Sequence, residues 1–359
     1  MDMQASGERR ERPDFSGRMG DFFVMQLVNL ALTVVTLGIY RFWAVTRIRR
    51  YLWSHTSVQG APLEWAGTGM ELFKGFLILI VLFGIPMSAL SFWLQSLLLK
   101  GQWQLAIAVY ILLLVGVLYL SGVAIFRMVR YRLNRTYWQG VRGGSDDGGW
   151  TFGLGYLARS FTVLLSFTLT VPWLTAWGWN ALFAKMSFGS LLFEGDARWR
   201  ALFNKYAAAL CLSVLFLIGI GFGAGLVGGI LGSASNDPGK IQLGVIAAIL
   251  LGYLGVPLIM LRYAAYLHRH LIGHLSLGPV RFAFDATTLD WLKYYLFNVA
   301  LVVFTLGLGL LLWPYRHWQF YTSHLTVIGD LSALEIEQSG TATLRQGEGL
   351  ADAFDIGAI

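Results

Sequence analysis

The side chains with metal-binding chemistry lie together in the last third of the chain. His268, His270 and His274 fall within seven residues, and His270 and His274 have the i,i+4 spacing that places two imidazoles on one helix face. A zinc peptidase needs a glutamate between such a pair, as in HExxH, and none is present. We therefore predict no metal, no cofactor and no catalytic residue, and interpret the histidines as loop residues at a lipid interface.

A second group combines polar, aromatic and basic residues in one stretch near the N-terminus. An apolar run with amide and hydroxyl side chains breaks at a glycine and continues into a helix end rich in tryptophan and arginine. Arginine at headgroup level attracts anionic lipid at about 1 kcal/mol per charge, and tryptophan favours the membrane interface. Lipid contact and simple anchoring of the topology both remain open. The candidate functional or structural residues are Asn29, Thr33, Thr36, Gly38, Trp43, Arg47, Arg50, Tyr51 and Gly60.

The composition around these residues is that of a membrane protein. The 359 residues are 56% hydrophobic and 13% charged, with a mean hydropathy of +0.60, whereas soluble domains carry roughly 25% charged residues. A helix needs about 20 apolar residues to cross a bilayer core. The net charge of +7 is typical of basic cytoplasmic loops, so we predict no nucleic-acid partner. Four stretches long enough to span lack Asp, Glu, Lys and Arg: 75–99, 104–126, 206–236 and 241–261.

Basic residues indicate which apolar segments cross the membrane. If all segments spanned, Lys and Arg would be shared almost evenly between the two sides. If only the second, third, fifth and sixth span, Lys100 and Lys240 alone of the 27 basic residues lie outside the cytoplasm, as the positive-inside bias favours. The seven segments are 22–43, 72–98, 104–126, 157–179, 206–232, 241–261 and 294–315.

The first, fourth and seventh segments contain helix breakers. Gly38 lies in the first, Pro172 in the fourth, and Gly307 and Gly309 in the seventh. Proline removes a backbone donor, and glycine weakens a helix interior. We therefore expect these three segments to be re-entrant or interfacial helical hairpins, with seven ordinary spans as the alternative.

A weak internal repeat organises the membrane part. Tyr51 precedes Gly60 by nine residues, and Tyr131 precedes Gly140 by the same number. Each copy has an aromatic start, an apolar body, a basic helix end and a strand-like piece, and such copies usually stack. We predict a disordered cytoplasmic arm, a membrane domain of about five units and an acidic cytoplasmic tail. Their bounds are 1–20 for the arm, 21–68, 69–150, 151–198, 199–285 and 286–330 for the units of domain 21–330, and 331–359 for the tail.

The predicted fold class is an all-α polytopic membrane protein. It has repeated units with four spanning helices, three re-entrant or interfacial helical hairpins, and short cytoplasmic β segments. The β segments Ser57–Trp65, Gly189–Phe193 and Pro279–Phe284 are too short to stand alone. We expect them to pair beneath the spans.

The first unit resembles a known family. TLGIYRFWAVTRIRRYLW at 36–53 and VQGAPLEWAGTGMELFKGF at 58–76 are similar to the YjgN-like family of bacterial inner-membrane proteins, as is the ending GEGLADAFDIGAI at 347–359. The resemblance implies an inner-membrane location and a domain of unknown function without known catalytic residues. It also indicates a membrane metallopeptidase as a candidate partner, because the family's genes often lie beside those of such enzymes.

Two functions fit these observations. The first is a non-enzymatic module that binds a protein partner or interacts with membrane lipids, with both termini in the cytoplasm. The alternative is a transporter or channel for a small or amphipathic substrate, with the broken hairpins lining its path. The charge-free stretches of the four proposed spans, which begin at 75, 104, 206 and 241, contain no Asp, Glu, Lys, Arg or His, which disfavours a proton-coupled pump.

Overall fold

The computed structural model describes residues 9–235, 238–331, 334 and 336–341. The first eight residues of the predicted arm and the acidic tail from 342 onward lie outside the described residues. Within the described residues, pairs of helices alternate with pairs of short strands.

Short strands from the whole length of the chain form one antiparallel sheet. The strands are β1 Arg10–Glu11, β2 Asp14–Phe15, β3 Thr56–Val58, β4 Ala61–Trp65, β5 Thr136–Trp138, β6 Val141–Gly144, β7 Ser187–Phe188, β8 Leu191–Gly195, β9 Leu275–Leu277, β10 Val280–Phe284 and β11 Leu325–Ile328. They pair in the order β1-β11-β10-β9-β8-β7-β6-β5-β4-β3-β2. The predicted all-α class is therefore wrong. The short β segments, which were expected to pair with one another beneath the spans, belong to an 11-stranded sheet.

The N-terminal arm joins the two ends of this strand order. β1 pairs with β11, and β2 pairs with β3. Only Arg12 and Pro13 separate β1 from β2, so the two sheet ends lie within about 11 Å of each other. Proline has no N–H to give to a ladder, and the arm changes its pairing partner there. The sheet thus wraps into a ring with its seam at the arm.

Side chains reinforce this seam. The Gln59 Nε2 donates to the Gly329 carbonyl oxygen at 2.7 Å, and the Gln59 Oε1 accepts from the Leu331 N–H at 2.9 Å. The Trp318 Nε1 donates to the Thr56 hydroxyl at 2.7 Å. These bonds tie the first hairpin to the residues that follow β11 and to the helix that precedes it.

Two hairpins turn on a glutamine–glycine pair. The φ angles are +50° and +82° at Gln59 and Gly60, and +50° and +75° at Gln139 and Gly140. A two-residue loop with both central φ angles positive is a type I′ turn, whose twist matches that of paired strands. Gly60, a candidate site residue, therefore has a structural role in this turn.

Helices leave the sheet in pairs and return to the next strand. The helices are α1 Met19–Val35, α2 Arg41–Ser54, α3 Gly69–Leu79, α4 Ile85–Leu99, α5 Trp103–Asn134, α6 Trp150–Leu165, α7 Val171–Phe183, α8 Trp199–Ser235, α9 Pro238–Gly273, α10 Thr288–Phe304 and α11 Trp313–His324. A π-helical turn, Ile80–Gly84, continues α3 into α4, and a 3-10 turn, Leu308–Leu312, precedes α11. We call each helical hairpin with the strands that follow it a unit. The described residues contain five units.

Units 1, 3 and 5 are short hairpins with the same tight turn. In unit 1 the Gly38 N–H donates to the Thr33 carbonyl oxygen at 2.7 Å, and Thr168 and Gly307 make the corresponding bond at 2.9 and 2.8 Å. This is the long bond of a Schellman motif, which ends a helix. The break in unit 3 is thus at Thr168. Pro172, predicted as the breaker, lies in the first turn of α7, where proline is tolerated.

Units 2 and 4 are long hairpins. Among the residues that the structure describes, four helices are long and apolar enough to cross a membrane: Gly69–Leu99, Trp103–Asn134, Trp199–Leu226 and Val245–Gly273. The α5 helix, with 32 residues, is about 48 Å long, whereas α1, with 17, is about 25 Å long. Long and short hairpins therefore rise from the same sheet.

One apolar cluster joins the hairpins of the ring. It contains buried or half-buried residues of strands in all five units, such as Trp138 and Val327, and it also includes Leu331, Leu334 and Ile336 from the C-terminal segment. That segment bonds to the sheet, because the Ser190 N–H donates to the carbonyl oxygen of residue 337 at 3.1 Å. The described start of the tail is therefore part of the folded ring.

We predict that Gln59→Ala lowers the free energy of unfolding by about 1–3 kcal/mol, since it removes both seam bonds and leaves buried groups unpaired. The matched control is Gln139→Ala. Gln139 occupies the same turn position but is exposed, so its replacement is expected to change stability by less than about 0.5 kcal/mol. Thermal unfolding of the two variants in one detergent measures the difference. Equal losses of stability in the two variants would contradict the role of Gln59 in closing the sheet.

Candidate functional site

The polar candidates of the first apolar run lock the short hairpin together. Asn29 is 3% exposed; its Nδ2 donates to the Gln26 Oε1 at 2.8 Å, and its Oδ1 accepts from the Arg47 Nη1 at 3.5 Å. The Thr33 and Thr36 hydroxyls donate to carbonyl oxygens of their own helix at 2.7 Å. Each of these side chains has a hydrogen-bond partner within the hairpin, and none of the three is among the residues that line the cavity beside Arg47.

In all three short hairpins, an arginine on one helix contacts a partner side chain on the other helix at corresponding positions. In unit 5, the Arg316 Nε donates to the Asn298 Oδ1 at 2.8 Å, repeating the arginine–asparagine pair of unit 1 at the same 18-residue spacing. In unit 3, the corresponding pair is Arg159 and Trp177, and the guanidinium lies 3.9 Å from the ring centroid. In unit 3 the arginine therefore lies on the first helix of the hairpin, whereas in units 1 and 5 it lies on the second helix, and the contact between the two positions is retained. Sequence reasoning missed these pairs, although alignment of the three Schellman turns reveals them.

Trp43, Arg47 and Arg50 come together on one face of α2. They line an open cavity of about 360 Å³ with five further residues. The other lining residues are Tyr40, Thr46, Thr68, Gly69 and Met70. Two guanidinium groups beside an aromatic ring can bind a phosphate or carboxylate and cover an apolar group next to it. We call this the first junction cavity, because it lies where unit 1 meets unit 2.

Tyr51 clamps the N-terminal arm. Its hydroxyl donates to the Arg18 carbonyl oxygen and accepts from the Arg18 N–H, both at 2.9 Å. Its ring packs edge-on against Phe22 at 5.4 Å and stacks on His55 at 4.2 Å. Tyr51 is therefore a structural residue that fixes the arm at the start of α1.

The junction between units 4 and 5 has a second open cavity of about 380 Å³. Among its lining residues are Arg262, Tyr266 and Arg269 of α9. These lie 219 positions after Trp43, Arg47 and Arg50, and the hairpin turns that follow have the same offset. The second cavity was missed in the sequence, because an aromatic and a basic residue exchange places between the two junctions.

The histidines engage the backbone. The Nδ1 atoms of His268 and His274 lie 2.8 and 2.7 Å from carbonyl oxygens one turn earlier in α9, and the His270 Nε2 accepts from the Arg198 N–H at 3.1 Å. Within the described ranges, no group of three or more His, Cys, Asp or Glu residues could hold a metal ion. His268 and His270 belong to α9 rather than to a loop, contrary to our interpretation of the sequence, whereas His274 lies in the turn between α9 and β9.

The sheet ring with its long apolar helices defines a polytopic membrane protein. The chain belongs to the family described as "Bacterial protein of unknown function (DUF898)", which matches residues 10–353. This confirms the family resemblance seen in the first unit. The family description names no catalytic activity.

Curated relatives match over a short region. The "Inner membrane protein YjgN" of Salmonella typhimurium is 35% identical over 77 residues, which is 21% of this chain and 20% of the relative. The protein of the same name from Escherichia coli O157:H7 is 35% identical over 66 residues, covering 18% and 17%. The matched part thus spans about a fifth of each relative. No solved structure matches the chain significantly.

We predict that Gly69→Ala disrupts the first junction cavity. A Cβ at Gly69 would lie 2.7 Å from the Cγ and 2.8 Å from the Cα of Trp43, so the two helices must separate. Overpacking of this kind costs about 1–3 kcal/mol of stability. Gly20→Ala is the matched control, because a Cβ there meets nothing within 4 Å. Thermal unfolding of the two variants tests this prediction. An unchanged Tm for Gly69→Ala would contradict the close packing of Gly69 against Trp43.

Proposed function

We propose that this protein is a non-enzymatic, lipid-interacting module of the bacterial inner membrane. In this proposal the sheet ring and both termini face the cytoplasm, and the short hairpins enter the adjoining leaflet. The four apolar helices and the inner-membrane names of the relatives support the location. Lys100 and Lys240 alone of the 27 basic residues lie near the turns of the long hairpins, and this distribution supports the orientation.

The tips of the three short hairpins carry the proposal. Leu37, Phe167 and Leu306 have φ angles of +50°, +49° and +50°, at a helix-end position that usually holds glycine. They are 93%, 87% and 95% exposed. A bulky side chain in the left-handed conformation costs roughly 1–2 kcal/mol. Large apolar residues at this strained and fully exposed position are favourable in a hydrocarbon environment and unfavourable in water.

The lengths of the hairpins set how deep the tips reach. The α1, α6 and α10 helices have 17, 16 and 17 residues, hence lengths of about 24–26 Å. Each hairpin starts at the sheet, and its basic or aromatic end lies near the headgroups. A bilayer core is about 30 Å thick, so the tips stop inside it. Both helices of a hairpin then emerge on the side of the sheet.

The polar groups of the first hairpin weigh against the alternative of a transporter. A conduit along Asn29, Thr33 and Thr36 would need their polar atoms to face an open path. Instead these atoms bond to neighbouring residues of α1 and to Arg47. A protein partner, such as a membrane metallopeptidase, stays a prediction from the family resemblance.

The depth of the tips tests the proposal. We expect nitroxide labels at Leu37→Cys, Phe167→Cys and Leu306→Cys, each in a Cys211→Ser background, to lie at similar depths in the hydrocarbon of lipid nanodiscs. Power-saturation EPR should show high oxygen and low nickel-chelate accessibility at all three. Lys185→Cys, beside the sheet, is the matched aqueous control. High nickel-chelate accessibility at the three tips would contradict the proposal.

The orientation has a separate test. In the same background, cysteines at Gly20 and Lys185 should resist an impermeant maleimide in intact spheroplasts and react after lysis, since both positions adjoin the sheet. A cysteine at Lys100, in the turn at the far end of unit 2, should react in intact spheroplasts. Labelling of position 20 or 185 before lysis would reverse the proposed orientation.

A further inference from the structure

The second junction cavity lies between α8, α9 and the start of α10. Its cations are Lys205 on α8 and Arg262 and Arg269 on α9. Within the described part of the chain, none of these three has a hydrogen bond or an ion pair. Three unneutralised cations around one groove attract an anion.

The carboxylate at the start of α10 is engaged elsewhere. Asp290 accepts hydrogen bonds from the N–H and the hydroxyl of Thr287 at 2.8 and 2.6 Å, in the capping box of α10. These bonds lower the pKa of Asp290, so it stays ionised as the cap. Within the described part of the chain, Asp290 lies 4.0 Å from the His324 Nε2 and forms no ion pair with the three cations of the groove.

A buried hydroxyl in the same groove lacks a partner. Tyr263 lines the cavity and is 8% exposed, with its ring packed edge-on against Tyr206 at 5.0 Å. Its hydroxyl is buried and makes no hydrogen bond to the described residues. A buried unpaired hydroxyl is destabilising, which points to a ligand oxygen as its partner.

The groove changes from charged to apolar along its length. Along α9, Arg269 lies toward the sheet and Ile259 lies about 15 Å toward the far end of the helix. On α8, which runs the opposite way, Lys205 is nearer the sheet and Leu212 lies farther along. Leu212 and Ile259 line the groove. The gradient matches an amphipathic ligand with an anionic head at the sheet and a chain along the helices.

The first junction cavity supports this assignment. The corresponding positions of α2 again present two cations and one aromatic ring, Trp43, Arg47 and Arg50. Two junctions therefore carry the same set of chemical groups in different orders. The second cavity adds a third cation and the unpaired hydroxyl, so it is the more complete site.

We propose that the groove between α8 and α9 binds one anionic phospholipid. The phosphate lies among Lys205, Arg262 and Arg269, the Tyr263 hydroxyl donates to a phosphate or ester oxygen, and an acyl chain follows Leu212 and Ile259. A zwitterionic headgroup is disfavoured because it brings its own ammonium group to the three cations. The assignment rests on the proposed lipid-interacting function and names the lipid class and its place.

Native mass spectrometry of the full chain in detergent tests the site. Dioleoyl phosphatidylglycerol should bind at least tenfold more tightly than dioleoyl phosphatidylcholine. The triple variant Lys205→Gln, Arg262→Gln, Arg269→Gln should lose about a hundredfold in affinity for phosphatidylglycerol. The matched control, Lys185→Gln, Arg198→Gln, Arg200→Gln, removes three exposed cations outside the groove and should change affinity less than twofold.

Tyr263→Phe separates binding from folding. Because the hydroxyl has no hydrogen-bond partner among the described residues, its removal should not lower the Tm of delipidated protein, while it weakens phosphatidylglycerol binding about three- to tenfold. Unchanged lipid affinity would overturn the role of Tyr263.

Three outcomes overturn the proposal as a whole. The first is equal affinity for the two lipids. The second is an equal loss of phosphatidylglycerol affinity in the triple variant and in its control. The third is competition by inorganic phosphate at the concentration of the lipid, which indicates a site for a soluble anion. The labels at Leu37, Phe167 and Leu306 lie outside the groove, so failure here leaves the hairpin depths unaffected. Aqueous tips would instead refute the general function.

Discussion

The rest of the structure depends on closure of the sheet by the two ends of the chain. In the other units, the second strand pairs on one side with the first strand of its own unit and on the other side with the first strand of the next unit. For example, β4 pairs with β3 and with β5. Unit 5 has only β11 in its own sequence. The arm supplies the missing strand, since β1 pairs with β11 and β2 with β3. The ring therefore holds its first and last residues in one ladder. Strands of two to five residues become stable because β3 to β11 pair on both sides, and the two edge strands, β1 and β2, are joined to each other through Arg12 and Pro13.

This closure constrains the topology of every apolar segment. Each helical hairpin begins after one strand and ends before a neighbouring strand of the same ring, so both its ends lie at the sheet. The number of crossings per hairpin is then even, whatever its length. A short hairpin turns at a Schellman motif near 37, 167 or 306, and a long one turns near Gly101 or between α8 and α9. Strand pairing thus places all the basic helix ends on one side.

The sequence allowed the helical part to be predicted and concealed the sheet. Charge-free runs and positive-inside counting identified the long helices, since both effects are local and large. The β pieces were visible at Ser57–Trp65, but a two-residue strand such as β1 has no periodicity to detect. The ring was missed because its closing contacts join residues about 320 positions apart, as in the pairing of Arg10 with Ile328. The candidate site residues also separate in the structure, because they contact parts of the chain that are distant in sequence. Trp43, Arg47 and Arg50 share a helix face, whereas Tyr51 points to the arm.

The order of short and long hairpins has its own consequence. Around the ring the units run short, long, short, long, short, so the two short units 5 and 1 meet at the seam. There the Gln26 Nε2 donates to the Leu311 carbonyl oxygen at 3.2 Å. Beyond the short tips, the described part of the chain continues as two separate long hairpins. The most apolar stretch of Gly69–Leu99 buries none of its residues, and that of Trp199–Leu226 buries 6%. The corresponding stretches of Trp103–Asn134 and Val245–Gly273 bury 22% and 6%, so most residues of each long hairpin at that depth are not covered by the described part of the chain. In the proposed orientation, lipid reaches the α8–α9 groove near the sheet from between the two long hairpins.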